Sequence, residues 1–228
     1  MKHLVFLTGA GISAESGIST FRDANGLWEG HDIMEVASLD GFYKNPSLVF
    51  NFYNQRRRQL LTVKPNNAHY SISDLEKEFK VTVITQNVDD LHERAGSTKV
   101  IHLHGELLKA RSTVNKQLVY DWKDDVNIGS LDELGNQLRP HIVWFGEAVP
   151  EMETAINLIQ KADIVVVVGT SLQVYPAASL INYADKATHF FYIDQSPANV
   201  NYFDKPLTVL KSKATEGMKK LNGLLTNL

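Results

Sequence analysis

Five β-branched residues in a row, Ile164-Val165-Val166-Val167-Val168, constrain this chain more than any other feature. A strand with one wet face alternates apolar and polar side chains. A run without alternation predicts a strand buried on both faces, as in a parallel sheet covered by helices. Further short apolar runs occupy residues 4–7, 81–84, 142–144 and 190–193. Helical periods lie between them, over residues 46–62, 67–77, 152–161, 177–184 and 214–225. Strand alternating with helix predicts a doubly wound α/β fold. Residues 106–138 break that rhythm and read as a small module inserted in the α/β domain, while residues 16–47 lack a sheet-like strand and read as a flexible lid.

Composition removes several functions. Lys and Arg number 23 against 26 Asp and Glu, a net charge of −3, so there is no global basic field to hold a polyanion. Nucleic acid is therefore not an expected partner, and Arg56-Arg57-Arg58 is the local exception. The chain contains no cysteine, which excludes disulfides, thiolate catalysis and cysteine-held zinc. Residues 1–9 are too poor in apolar side chains for a signal peptide. No apolar run approaches the ~18 residues of a membrane span. A cytoplasmic protein that does not enter the membrane is expected.

Gly9-Ala10-Gly11-Ile12-Ser13-Ala14 follows the first strand and fits G-x-G-x-x-A. In a nucleotide site, Gly9 allows the tight turn, Gly11 lets a pyrophosphate approach the backbone, and a helix N-terminus supplies N–H donors. An ordinary glycine turn is the alternative, and its position after the first strand favours the nucleotide. A plain dehydrogenase fingerprint would place an acidic residue about 20 residues on. The acidic residue at a strand end here is Asp194, much further along. Gly169-Thr170-Ser171, after the valine strand, could meet the other half of a dinucleotide or simply cap a helix.

Gln86, Asn87 and Asp89 follow the strand over 81–84, where α/β ligand sites form. Asn87 can donate and accept, and Asp89 can accept from an amide; an Asx-turn with a helix cap is the other reading. His102 and His104, two apart on a strand, would face one side. They could be a metal pair, two hydrogen-bonded histidines, or a pair of which one is a general base.

Taken together, Gly9-Ala10-Gly11-Ile12-Ser13, Gly17-Ile18-Ser19-Thr20-Phe21-Arg22, Thr85-Gln86-Asn87-Val88-Asp89, Leu103-His104-Gly105 and Gly169-Thr170-Ser171 resemble, in this order, the sirtuins, NAD-dependent protein deacylases, over almost the full chain. The stretch Arg139-Pro140-His141-Ile142-Val143-Trp144-Phe145-Gly146-Glu147 and Tyr53-Asn54-Gln55-Arg56 resemble the class III branch. The resemblance implies one catalytic domain over 1–228, a Rossmann-type parallel sheet with a small module, and NAD meeting acyl-lysine protein in the cleft. It implies His104 as general base, with Asn87 and Asp89 at the nicotinamide and ribose. Cofactor contacts carry over to Gly9, Ala10, Gly11, Ser13, Phe21, Arg22, Gln86, Gly169, Thr170, Ser171, Asp194 and Ala214. Val143, Trp144, Phe145 and Gly146 would pair with the substrate backbone and cover the acyl-lysine tunnel. In the implied reaction nicotinamide leaves NAD and the acyl oxygen attacks the ribose. His104 then takes a ribose hydroxyl proton, giving lysine, nicotinamide and O-acyl-ADP-ribose.

Two departures stand out. Most sirtuins hold zinc with four cysteines in the small module. Here Ser112 stands about where the first would fall, so no zinc is expected and Leu118, Val119, Tyr120 and Trp122 become candidates for packing the module. Many sirtuins also carry Asn where this chain has Asp194, an acid that would repel a 2′-phosphate and favour NAD over NADP.

Tyr53 and Arg56, at i and i+3 of a predicted helix, share a face. Without the family, a solvated basic face formed with Arg57 and Arg58 is the preferred reading. The class III resemblance implies instead a phenol and guanidinium that hold succinyl- or malonyl-lysine by its carboxylate, with acetyl-lysine also accepted. Arg57 is the fallback partner. An ADP-ribosyltransferase using the same NAD site and a non-enzymatic NAD or ADP-ribose-binding module are the competing functions. The latter leaves Asn87, Asp89 and His104 without a shared role.

Overall fold

The computed structural model describes residues 1–19, 27–28, 30–198 and 205–226. In chain order the strands are β1 (His3–Thr8), β2 (Leu27–Trp28), β3 (His31–Asp32), β4 (Lys80–Thr85), β5 (Val100–His102), β6 (Gly105–Ser112), β7 (Val119–Asp121), β8 (Leu138–Ile142), β9 (Ile164–Val168), β10 (His189–Asp194) and β11 (Leu207–Lys211). The α-helices are α1 (Ile33–Val36), α2 (Leu39–Lys44), α3 (Pro46–Thr62), α4 (Asn67–Asp74), α5 (Leu91–Arg94), α6 (Met152–Ile159) and α7 (Ala214–Leu225).

Six strands form one sheet in the order β11-β10-β9-β1-β4-β5, every pair parallel. β1 is central, with Leu4 opposite both Val81 and Ile164. The chain goes to one side of β1 for β4 and β5 and to the other for β9, β10 and β11. The C-terminal ends of β1 and β9 therefore flank a topological switch point, where a crevice opens.

The valine strand is buried on both faces, as its pattern requires. Val165 and Val167 join Val5, Leu7, Ala155 and Ile159 on one side. Val166 and Val168 join Leu4, Phe6, Met218 and Leu221 on the other. Each such side chain contributes roughly 1.5–3 kcal/mol, which fixes the strand ends that carry the site. The run at 142–144 belongs elsewhere: Ile142 closes β8, part of a three-stranded antiparallel sheet ordered β7-β6-β8. The helix expected over 177–184 is a 3-10 helix, Ala177–Tyr183.

α3 starts where its sequence dictates. Pro46 occupies the first turn, and the Asn45 side chain accepts from the Leu48 N–H at 3.1 Å. It ends at Thr62, two residues before Lys64, which Pro65 biases away from helix. Its apolar face packs with Val36, Phe42, Leu107, Ala110 and Trp144 into a third core. Of the span expected to be a lid, residues 33–44 thus form α1 and α2, with Val36 and Phe42 buried against this core.

The small module is held only in part as expected. Tyr120 and Trp122 are half-buried and pack against the third core, Leu118 is half-buried and Val119 is exposed. Leu107, Ala110, Val126 and Leu138 are its fully buried apolar residues, and polar groups do the rest. Asp132 accepts from the backbone of Leu134 and Asn136. The Gln137 amide donates to Asn127, Ser130 and Leu138 carbonyls. Asn54 of α3 both donates to the Val126 carbonyl and accepts its N–H, at 2.9 Å each. Ser112 accepts from the Val114 and Asn115 N–H groups, which closes a turn. Among the described residues no group of three or more His, Cys, Asp or Glu is placed to hold a metal ion.

Candidate active site

The loops after β1 and β9 pack backbone on backbone. A Cβ on Gly9 would lie 2.8 Å from the Gly169 carbonyl oxygen, and one on Gly11 2.7 Å from the Gly169 Cα. Gly169 itself has φ +63, and a Cβ there would come within 2.4 Å of the Ile12 nitrogen. Glycine is therefore required at these positions by the contact between the two loops. The expected helix is absent. Residues Ala10–Ile12 and Ala14–Ser16 are single 3-10 turns. The N–H groups of Gly9, Gly11, Ile12 and Ser13 all donate within the protein, to Val168, Gly169, Gly9 and Ala10 carbonyls. The Ala10 N–H has no acceptor among the described residues.

Ser13, Asn87 and Asp89 form one buried cluster beneath the turn. The Ser13 hydroxyl donates to Asp89 Oδ2 at 2.9 Å, and Asn87 Nδ2 donates to Ser13 Oγ and to the Gly9 carbonyl, each at 3.2 Å. Asp89 Oδ1 accepts from the Leu91 N–H at 3.1 Å, the bond that the Asx-turn reading expects. Burial pushes the Asp89 carboxyl up to about 6, against the opposing pull of the Leu91 and Ser13 hydrogen bonds. Gln86 reaches across to Thr170, Nε2 to Oγ1, at 3.1 Å.

The two histidines after β5 have parted roles. His104 Nδ1 lies 3.0 Å from the Gln86 carbonyl, and His102 Nδ1 lies 3.0 Å from the Asn87 carbonyl. A carbonyl only accepts, so each Nδ1 carries a proton. His104 Nε2 is then the lone-pair nitrogen, and burial holds the His104 imidazole below its ordinary 6.5, neutral at pH 7. His102 Nε2 is engaged by Glu93 at 2.7 Å. A convergent metal pair is thereby replaced by two anchored rings, one of them base-competent.

Asp194 ends β10 and accepts from the Ser196 N–H, placing it beside Gly169, whose N–H donates to Ile193. Ala214 opens α7, whose start is tied to the glycine turn by Thr215, which donates twice to Glu15. Ser171 follows Thr170 on the same loop, at the C-terminal edge of β9. Phe21 and Arg22 lie outside the described residues.

Tyr53 and Arg56 do share a cavity. A small cleft of about 60 Å³ is lined by both, with Ile18, Trp28, Val88, Asp89 and Leu107 among its walls. The Arg56 guanidinium stacks on the Phe52 ring, 3.2 Å from its centroid, and donates to the Phe52 carbonyl. Tyr53 is fully buried, accepts from Trp144 Nε1 at 2.9 Å, and burial pushes its phenol up. The solvated basic face does not exist. Arg57 is fully buried, bonded to the Leu107 carbonyl and to Asn54, which removes it as fallback partner. Arg58 pairs with Asp125.

Residues 143–146 are pinned from below. The N–H groups of Val143, Trp144 and Phe145 donate to His104 O, Glu147 Oε2 and Ala37 O. Glu147 is itself buried between Arg111 and Arg139, at 2.8 and 2.9 Å, and Arg139 stacks on the Trp144 ring at 3.4 Å. The sequence reading missed Glu93 and His69, quoted Glu147 only as part of a motif, and left His102 open among three readings. His69 accepts the Asn66 N–H at its Nδ1 in a capping box, which turns Nε2 toward Ser13 Oγ, 3.5 Å away.

Residues 9–176 match the family model described as Sir2 family. The chain belongs to the Sir2 family. Among its relatives, an NAD-dependent protein deacylase of Helicobacter pylori is 57% identical over 221 residues, covering 97% of this chain and 96% of that protein. One of Bacteroides thetaiotaomicron is 52% identical, covering 99% and 98%. A Sir2 homologue solved as an NAD complex superposes with TM-score 0.87 at 38% identity, covering 99% of this chain and 90% of that one. A Sir2 protein bound to acetylated peptide gives TM-score 0.82 at 31% identity, covering 98% and 93%. The α/β sheet expected from the valine strand is thus the Rossmann-type sheet of this Sir2 family.

Proposed function

We propose that this Sir2-family enzyme is an NAD-dependent protein-lysine deacylase whose pocket favours acyl chains ending in a carboxylate, succinyl or malonyl above acetyl. The carrying observation is the neutral His104, with Nε2 bare, at the strand end that also presents Asn87 and Asp89. A binding module has no use for that arrangement.

The residues present fit NAD. The Ala10 N–H, Gln86, Ser13, Thr170, Ser171 and Asp194 would line the NAD site at the switch point, and Asp194 suits a ribose without 2′-phosphate. NAD, when bound, supplies the electrophilic ribose carbon and the departing nicotinamide. His104 Nε2 takes a proton from a ribose hydroxyl, while its Nδ1–H on the Gln86 carbonyl holds the ring in that tautomer. Asn87 uses its Nδ2 inside the protein, so its Oδ1 is the atom that orients a hydroxyl or water. Asp89, ionised above pH about 6, accepts from an amide. Peptide backbone pairs with the Gly146 N–H and the carbonyls of Val143, Phe145 and Gly146, since the three preceding N–H groups and the Trp144 carbonyl are taken. Arg56 and Tyr53 meet the acyl carboxylate by charge-assisted hydrogen bonds. Absence of a long apolar helix among the described residues suits a cytoplasmic setting.

The test is incubation with NAD and matched acetyl-, succinyl- and malonyl-lysine peptides, following peptide and nicotinamide by mass. Succinyl or malonyl turnover should exceed acetyl, and Arg56→Met should abolish that preference while sparing acetyl turnover. Equal loss of both refutes the selectivity role. Nicotinamide release without deacylation moves the function to ADP-ribosyl transfer.

A further inference from the structure

The end of β5 carries a second histidine that the reaction above leaves unused. His102 and His104 bind consecutive carbonyls, Asn87 and Gln86, of the loop after β4, each through Nδ1 at 3.0 Å. Leu103 between them turns into the sheet core, so both rings lie on the same side. The difference lies at the far nitrogen. His104 Nε2 is bare, whereas His102 Nε2 meets Glu93 Oε1 at 2.7 Å.

We infer that His102 and Glu93 are positioning residues of the deacylation site, holding the Asn87 peptide from behind so that its carboxamide and the following Asp89 keep their orientation. This rests on the placement of Asn87 and His104 in the site. The hydrogen bonds demand a cation: a carbonyl and an ionised carboxylate both only accept, so both His102 nitrogens carry protons. One strand end therefore holds a neutral imidazole as base and an imidazolium as clamp. Asn87 is fastened on two sides, its carbonyl by His102 and its Nδ2 by Gly9 and Ser13.

The groups facing the His102 ring are Glu93 and His92 on α5, Asp89 in the loop after β4, and Glu106 with its partner Lys109 on β6; His104 flanks it on its own segment. Burial pulls the His102 imidazole down, but Glu93, with help from the Asn87 carbonyl and Glu106, outweighs it and leaves the ring above its ordinary 6.5. As pH rises through that raised value, Nε2 loses its proton and the Glu93 contact dissolves.

Steady-state deacylation of an acyl-lysine peptide is measured against pH for wild type, Glu93→Gln and His102→Gln, with melting temperatures alongside. Glu93→Gln should lower kcat/KM for NAD at neutral pH by about tenfold, within the ~10²-fold that a 1 Å misplacement can cost. It should also move the alkaline limb to lower pH and leave the acid limb of His104 in place. His102→Gln should remove the alkaline limb. The Glu93 side chain is 40% exposed, so its variant should melt near wild type. Wild-type kcat/KM with an unmoved alkaline limb in Glu93→Gln overturns the inference. Nitrogen-15 shifts of the unmutated protein give an independent check. They should show His102 doubly protonated and His104 as the neutral Nδ1–H tautomer at neutral pH; a neutral His102 overturns the clamp. His104→Ala separates the two ideas. If it is inactive while Glu93→Gln is wild type, the clamp falls and the deacylase site stands. If it turns over normally, the site assignment falls and takes the clamp with it.

Discussion

The sheet end that carries the site and the small module meet at His104-Gly105, and different forces hold them. The loops after β1, β4 and β9 hang from strands whose side chains are almost all buried, so packing fixes their position. The module between Gly105 and Ile142 has few fully buried apolar residues. Its shape comes from Asn54, Asp132, Gln137 and the Arg111–Glu147–Arg139 cluster, the last of which also grips residues 143–146, the proposed peptide-binding segment. An apolar foundation can carry buried polar groups that weaken the fold, such as Asp89. A polar foundation depends on its own charges.

His104→Ala tests the first half of that contrast most severely. Turnover should fall roughly 10²–10⁴-fold with little change in melting temperature, because the strand beneath is held by packing. Near wild-type turnover would remove the base assignment. Glu147→Ala should do the reverse. Two buried guanidiniums lose their counter-ion, a cost of about 3–5 kcal/mol readable by denaturant unfolding, together with a raised KM for peptide. A cost under about 1 kcal/mol would return the module to apolar packing. The Glu147 carboxyl is also held low: burial raises it, but Arg139 and the Trp144 N–H outweigh burial. Its stabilisation is therefore complete above the ordinary carboxylate value and fades as pH falls through the lower folded value. Amide exchange in β6 and β8 should accelerate in acid before that of β1 and β9.

Asp89→Asn should separate function from stability within the sheet region. Burial lifts this acid from 3.8 to about 6, so the folded state binds the extra proton between those values and stability falls as pH rises through them. Removing the charge should stabilise the protein at neutral pH by on the order of 3 kcal/mol, with the gain gone in strong acid and turnover lost. No stabilisation would mean that the Ser13 and Leu91 bonds already compensate the buried charge. The smallest effect is expected at Arg58→Ala, an exposed pair with Asp125 worth ~0–1 kcal/mol; a larger loss would show that the module's surface charges matter as much as its buried ones.

Legibility followed the same division. The valine strand and the helices over 46–62 and 214–225 match the sequence reading at both ends, because a run of buried β-branched residues, or a capped amphipathic period, is a local signal. β11 carries no such signal: it is an edge strand whose side chains are half-buried or exposed. The module's frame was illegible because its buried residues pair across distances that spacing does not encode, as Asn54 does with Val126. Arg57 shows the same limit. Three consecutive arginines read as one patch, yet the middle one is buried, one stacks over Phe52 and one pairs at the surface.

The sequence by itself determined the sheet, the order of the loops at its C-terminal edge and the residues those loops present, since each depends on periodicity, turn chemistry or a motif read over a few neighbours. Only the tertiary structure decided which histidine is bare and which is clamped, that Gly9 and Gly11 are demanded by Gly169, and that Tyr53 and Arg56 open on the same cleft as Asp89. Those outcomes depend on which acceptor lies within about 3 Å of a given atom, and the partners come from segments that meet only when β9, β1, β4 and β5 are laid side by side.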